Sequence, residues 1–242
     1  MSQQPVAVVT GGGRNIGRSI ALELARWGAD VVVLVRANRA EAESVAAEVR
    51  AEGRRAQVAV ADVRDRDAVA AAVADACTLG PPTILVNNAA IRVERPFLEL
   101  TDTDWREVTS VIVDGAFVCA QQVLPHMLDA GHGRIVNIAG VTGQTGAAHR
   151  AHVVTAKAGL IGLTKALAAE YAADGVTVNA VSPGMIDTTR LHGTPQHHAG
   201  RTPPVGRLGN PQEIAAAVRY LVSPDAGYVT GQTINVNGGV LT

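Results

Sequence analysis

Seven short runs of β-branched and aliphatic residues recur along the 242-residue chain, separated by longer stretches rich in Ala, Leu and Glu. The runs are Val6–Thr10, Val31–Val35, Gln57–Ala61, Ile84–Asn87, Arg134–Ile138, Val176–Val181 and Thr233–Val236. Their apolar character is continuous rather than alternating, which predicts strands covered on both faces. The intervening stretches predict helices near 15–27, 38–52, 66–76, 104–130, 151–173 and 211–222. Such an alternation calls for a parallel sheet, because right-handed crossovers lay the helices on its two faces. The expected fold class is α/β, a doubly wound parallel sheet in a single domain over 1–242, with no linker or repeat to divide it. One irregular stretch, about 184–210, carries Pro195, Pro203 and Pro204 and is expected to form a loop or lid over the functional edge.

Charge excludes several classes of partner. Lys plus Arg is 21 and Asp plus Glu 22, so the chain offers no electrostatic footprint for nucleic acid or anionic lipid. Two cysteines, Cys77 and Cys119, cannot build a disulfide framework or a zinc site. The longest strongly apolar run, Val31–Val35, is far short of the roughly 20 residues that span a bilayer. Met1–Pro5 lacks the basic-then-apolar pattern of a signal peptide. The expectation is a cytoplasmic protein with a small-molecule partner and no nucleic acid or membrane.

In doubly wound sheets, ligands sit beyond the carboxyl ends of the strands, where strand order reverses. After the first strand comes Thr10-Gly11-Gly12-Gly13-Arg14-Asn15-Ile16-Gly17, followed by an amphipathic stretch. Glycines let the backbone approach a pyrophosphate, and a helix N-terminus favours its charge. A Rossmann-type dinucleotide site is expected here. Arg14 lies in the turn, and Arg36 follows the second strand, where an acid for the ribose hydroxyl is usual. Cations at these places suit a 2′-phosphate, so NADP(H) is expected rather than NAD.

Further motifs follow in order. They are Asp62-Val63, Asn87-Asn88-Ala89-Ala90, Pro183-Gly184-Met185-Ile186-Asp187-Thr188, Arg207-Leu208-Gly209-Asn210-Pro211 and Val229-Thr230-Gly231-Gln232 through Gly239. With the glycine turn, they make residues 5–239 resemble the short-chain dehydrogenase/reductase family, in its 3-oxoacyl-carrier-protein-reductase-like branch. The resemblance implies hydride exchange between a nicotinamide and a carbonyl or alcohol. It implies cofactor contacts at Gly11, Arg14, Asn15, Ile16, Gly17, Arg36, Asp62, Val63, Asn88, Ala89 and Lys157. Pro183, Gly184, Ile186 and Thr188 would close over the nicotinamide. Asn15 and Ala90 stand where glycines are usual.

The resemblance also implies a Tyr as proton donor, a Lys four residues later, a Ser on the substrate oxygen and an Asn supporting a water chain. Only Lys157 is retained. Val153 stands four residues before it, Gly140 at the Ser position and Ile112 at the Asn position. The three tyrosines, Tyr171, Tyr220 and Tyr228, are followed four residues on by Gly175, Pro224 and Gln232, so no other register restores the pair. A positioned general acid contributes roughly 10²–10⁴-fold and an oxyanion-type donor about another 10²–10³.

Two histidines offer imidazole as a replacement donor. At about 100° per residue, His152 lies about 140° around the helix from Lys157 and points largely elsewhere, whereas His149 precedes the helix on a loop. His192, His197 and His198 in the long loop read as exposed side chains without ligand spacing. His126 and His132 read as cations at a helix C-terminus. The weakly charged stretch 151–173, with Gly159 and Gly162, predicts a helix that packs against more than the sheet; the resemblance implies that this helix and the long one before it form a dimer interface and that the C-terminal strand region helps make tetramers, of this chain or with a related subunit. The sequence thus leads to a cofactor-binding protein that is a non-catalytic or helper subunit or an enzyme of non-standard chemistry. The alternative is an NADPH-dependent 3-oxoacyl-type reductase with a different donor, His152 or His149.

Overall fold

The computed structural model describes residues 4–189, 200 and 202–241. All seven expected strands occur, two with the expected bounds and the others shifted by one or two residues: β1 Val6–Thr10, β2 Asp30–Val35, β3 Ala56–Val60, β4 Pro82–Asn87, β5 Gly133–Ile138, β6 Val176–Pro183 and β7 Thr233–Val236. They form one sheet in the order β3-β2-β1-β4-β5-β6-β7, and every pairing is parallel. Strand order reverses between β1 and β4, so the carboxyl ends of these two strands flank the expected ligand crevice.

The strand composition explains the layering. Val31, Val33 and Val35 face one layer, while Val32 and Leu34 face the other. On the first face pack α1 Asn15–Trp27, α2 Arg39–Ala51 and α8 Pro211–Val222, through residues such as Ile20, Leu24, Val45 and Ile214. On the second lie α3 Arg66–Ala76, α4 Asp102–Thr109, α5 Gly115–Ala130 and α7 Ala151–Tyr171; the single turn α6 Thr142–Thr145 precedes α7. Local chemistry sets several helix ends. Asp65 caps α3, Thr101 and Asp104 form a reciprocal cap on α4, and Asn210 and Glu213 do the same for α8.

The helix expected over 104–130 begins two residues earlier, at its Thr101 cap, and is interrupted by a π-turn at Ser110–Asp114. The turn delivers Gly115 against Val63, where an added Cβ would stand 2.5 Å from a Val63 methyl. Asp102–Ala130 is the one helix among the described residues long and apolar enough to cross a membrane, but more than half of its apolar window is buried inside the protein. It is a core helix covering the sheet.

At the end of the sheet opposite the crevice, Asp30 opens β2 with its carboxylate fully buried. Arg55 donates to it from the backbone at 2.9 Å and from Nε at 2.8 Å, and Arg54 donates at 2.9 Å. Burial works to raise the Asp30 pKa, but these donors outweigh it and hold the carboxyl below its ordinary value. Its contribution to stability is present above the unfolded value near 3.8 and is lost as pH falls through the lower folded-state value. Asp30→Ala is expected to cost about 2 kcal/mol at pH 7 in urea denaturation, with the difference from the parent shrinking as pH falls below the unfolded value near 3.8.

Candidate dinucleotide site and reaction cleft

The glycine turn at the end of β1 leaves no room for side chains. A Cβ on Gly17 would stand 2.1 Å from the Gly11 carbonyl oxygen, and one on Gly11 would meet Asn88 Nδ2 at 3.1 Å and Ala89 Cα at 3.2 Å. Gly11 also has φ +63°, in the left-handed region. A backbone cradle of this kind at the head of α1 fits a pyrophosphate. Asn15 adopts φ +49°, which explains how it stands where a glycine is usual, since Asn tolerates this region better than most residues. Its side chain does more. Nδ2 donates to the Thr189 carbonyl at 3.0 Å, and Oδ1 accepts from the Thr189 N–H at 3.1 Å.

Around this turn the expected contacts divide into two kinds. Arg14 and Arg36 are exposed at the rim. Asp62 accepts three bonds from Arg64, which hold its pKa down against partial burial, and Arg36 is close enough to add to that effect. Ile16, Val63, Pro183 and Ile186 are buried. Gly184 is pinned by its N–H to Val236 and by Asn237, which a Cβ would approach to 2.6 Å; Thr188 is half-buried just beyond.

The strand ends are laced together by polar side chains. Thr10 Oγ1 accepts from the N–H groups of Asn88 and Ala89, and Asn88 Nδ2 donates back to the carbonyls of Thr10 and Gly11. Asn87 donates to Asn137 at 2.9 Å, Asn137 to Thr164 Oγ1 at 2.9 Å, and Thr164 to the Leu160 carbonyl at 2.8 Å. This chain fixes α7 to β4 and β5. It thereby positions Lys157, which is buried and donates to the Ile138 carbonyl at 2.5 Å. Burial, then Arg92 and Arg150, push the Lys157 pKa down to about 7.

Beside Lys157 the surface is hydrocarbon. Val153 and Ile112 pack into one buried cluster with Val108, Ala116, Ala156 and Leu160. Gly140 differs, because a Cβ there would meet nothing within 4 Å. Tyr171 lies four turns along α7 from Lys157, roughly 21 Å away. Tyr220 is on α8, on the other face of the sheet, and Tyr228 is fully exposed.

His152 is wholly buried, and neither ring nitrogen has a hydrogen-bond partner. Burial lowers its pKa; Asp104 opposes that, while Arg150 and Arg95 reinforce it. His149 is exposed with φ +61°, and its carbonyl accepts from Arg95 N–H at 2.8 Å. His192, His197, His198 and Pro195 lie outside the described residues, and no group of three metal-ligating side chains occurs among the described ones. His126 sits 3.8 Å from Cys77 Sγ, and His132 bonds the Ala130 carbonyl at 3.2 Å, both near the α5 C-terminus. Sequence reasoning missed the Thr189 contact of Asn15, the burial of His152 and the asparagine chain. Asn87 and Asn137, at corresponding ends of two apolar runs, were the available signal for the last.

The buried amine makes stability pH-dependent. Because the folded-state pKa of Lys157 lies near 7 and its unfolded value near 10.5, the unfolded chain binds the extra proton between those limits. Stability therefore rises with pH, by on the order of 1 kcal/mol per unit from this group. Lys157→Met is expected to flatten that rise between pH 7 and 9 in chemical denaturation.

Comparison with known proteins agrees with this geometry. Residues 11–241 match the family profile described as Enoyl-(Acyl carrier protein) reductase. The chain is 39% identical to a Staphylococcus aureus 3-oxoacyl-[acyl-carrier-protein] reductase FabG, over 99% of both chains. It is 41% identical to the Pseudomonas aeruginosa protein of that name, over 98% of both. It is also 40% identical to the short-chain reductase protein NovJ of Streptomyces niveus, over 99% of this chain and 95% of the other. A crystal structure described as a short-chain alcohol dehydrogenase from Sinorhizobium meliloti superposes with a TM-score of 0.92 at 36% identity, covering 97% of this chain and 95% of that one. With a seven-stranded parallel sheet, a glycine cradle at the β1–α1 turn and whole-length similarity to these reductases, the chain belongs to the short-chain dehydrogenase/reductase family.

Proposed function

We propose that this chain is a single-domain, cytoplasmic, NADP(H)-binding subunit that does not itself deliver the proton for carbonyl reduction and works with a related, complete subunit. The observation that carries this reading is the hydrocarbon cluster at Val153 and Ile112, beside a Lys157 that remains buried and bonded. The cofactor, when bound, supplies hydride chemistry. The backbone of Gly11–Gly17 would hold its pyrophosphate, Arg14 and Arg36 its 2′-phosphate, and Lys157 its nicotinamide ribose. Asp62, Val63, Asn88 and Ala89 would line the adenosine side, with Pro183, Gly184, Ile186 and Thr188 on the nicotinamide side. The exposed small residues of α7 (Thr155, Ala158, Gly159 and Gly162) support assembly as a dimer or tetramer, with itself or with the complete subunit.

A second reading is an NADPH-dependent 3-oxoacyl-type reductase with another proton donor. The comparisons speak for this reading more than for the first, since relatives 39–41% identical over the whole chain are named as such reductases. His149 suits the role better than His152, because its ring reaches solvent while that of His152 is enclosed.

NADPH fluorescence titration combined with turnover of a 3-oxoacyl thioester separates the two. The first reading expects binding without turnover, and reductase activity on making Val153→Tyr, Gly140→Ser and Ile112→Asn together. Gly140→Ser enters open space, whereas the other two disturb a packed cluster at about 1–3 kcal/mol, so unfolding midpoints are measured alongside. Turnover by the unaltered chain that His149→Ala abolishes would establish the second reading. Turnover untouched by any histidine change would overturn both, and absent NADPH binding would overturn the cofactor assignment.

A further inference from the structure

Segment 184–189 leaves β6 on the nicotinamide side of the crevice and is fastened differently at its two ends. At the near end the fastening is backbone to backbone. Gly184 N–H donates to the Val236 carbonyl at 3.0 Å, Asp187 N–H to the Gly209 carbonyl at 2.8 Å, and Gly209 N–H to the Met185 carbonyl at 2.9 Å. At the far end the fastening is one side chain. Among the described residues, Thr189 is held by Asn15 alone, at 3.0 Å through its carbonyl and at 3.1 Å through its N–H.

Asn15 is built into the opposite wall, as the first residue of α1 directly after the glycine turn. Its φ of +49° suits that turn, and an amide side chain tolerates this region. A glycine would fit the same backbone without strain but would offer Thr189 nothing. The amide therefore adds something that the shape of the turn does not require. A primary amide can donate and accept at once, which is what a peptide group needs from a partner. The span that it closes runs from the cradle proposed for the pyrophosphate to the segment proposed for the nicotinamide.

We propose that Asn15 is a latch on cofactor exchange: its amide fastens Thr189 across the mouth of the dinucleotide crevice, so NADP(H) enters and leaves only while both bonds are open. This rests on the proposed function, in that the crevice holds this cofactor. It deepens that reading by making the cofactor a slowly exchanging resident of the subunit. Both bonds lie where solvent reaches them, so water can replace them and the latch opens without unfolding. Two neutral hydrogen bonds of ordinary net strength keep such a contact closed roughly ten times as often as open. A latch that closes equally over the empty and the filled crevice slows entry and exit by one factor and leaves affinity alone. A side chain that merely touches the cofactor changes exit and affinity together.

The test compares the full-length parent with Asn15→Gly by stopped-flow NADPH fluorescence. Hydrogen exchange of the Thr189 amide is followed by NMR without cofactor. Glycine suits the left-handed φ, so the variant is expected to fold, and its unfolding midpoint is measured alongside. Asn15→Gly is expected to raise the association and dissociation rates each about tenfold while Kd changes less than about threefold. It should speed exchange of the Thr189 amide about tenfold and leave that of Ala89, which Thr10 holds at 3.0 Å, unaffected. Asn15→Asp keeps an acceptor for the Thr189 N–H but loses the donor to its carbonyl, and should retain part of the protection. Unchanged rates in Asn15→Gly, faster dissociation with unchanged association, or equal exchange of the Thr189 amide in parent and Asn15→Gly would overturn the inference. A parent that binds no NADPH would defeat the cofactor assignment and the latch with it, and the Thr189 amide distinguishes that failure from absence of the contact itself.

Discussion

The lacing of buried amides across the carboxyl ends of the strands is the constraint on which the cleft depends. Parallel strands present their last carbonyls and N–H groups to the crevice with no ladder partner beyond them, and such groups are expensive to leave unmet. Thr10 and Asn88 satisfy them between β1 and β4, and the Asn87–Asn137–Thr164 chain carries the connection through β5 into α7. Because that chain reaches α7 midway along its length, the helix has one rotational setting. This setting buries Lys157 against Ile138 and turns Val153 into the cluster with Ile112. Neither arrangement is a property of α7 alone.

The architecture was legible because its cause is local and repeated. Residues such as Val31 to Val35 are apolar on both faces, and the structure sends alternate members into two different cores. The glycine turn was equally legible, since a 2.1 Å clash at Gly17 admits no other residue without movement. What escaped the sequence depends on contacts distant along the chain. The π-turn at Ser110–Asp114 accompanies the seating of Gly115 on Val63, which comes from a different strand connection. The early start of α4 was written in Thr101 and Asp104, but a capping pair carries little weight until the backbone is seen to use it. His152 was placed by helix geometry away from Lys157; its enclosure beside Asp104 and Arg95 depends on how the β4–α4 connection folds back. Of the stretch 184–210, the described part adds a parallel bridge between Ile186 and Gly209, which no local pattern announces.

Similarity and chemistry speak to different levels of this protein. Whole-length identity near 40% reports the scaffold, the cradle and the order of elements. It averages over a few positions whose side chains decide a reaction, and a fold by itself does not imply one. Val153, Ile112 and Gly140 are three residues in 242, yet they determine which polar groups stand near Lys157.

Asn15 has a mechanical consequence. By holding both the N–H and the carbonyl of Thr189, it joins the segment leaving β6 to the β1–α1 turn, two stretches 174 residues apart in sequence. A glycine at this position would leave the two ends of the crevice independent. Here two hydrogen bonds join them. A substitution at either end must therefore be judged by its effect on both.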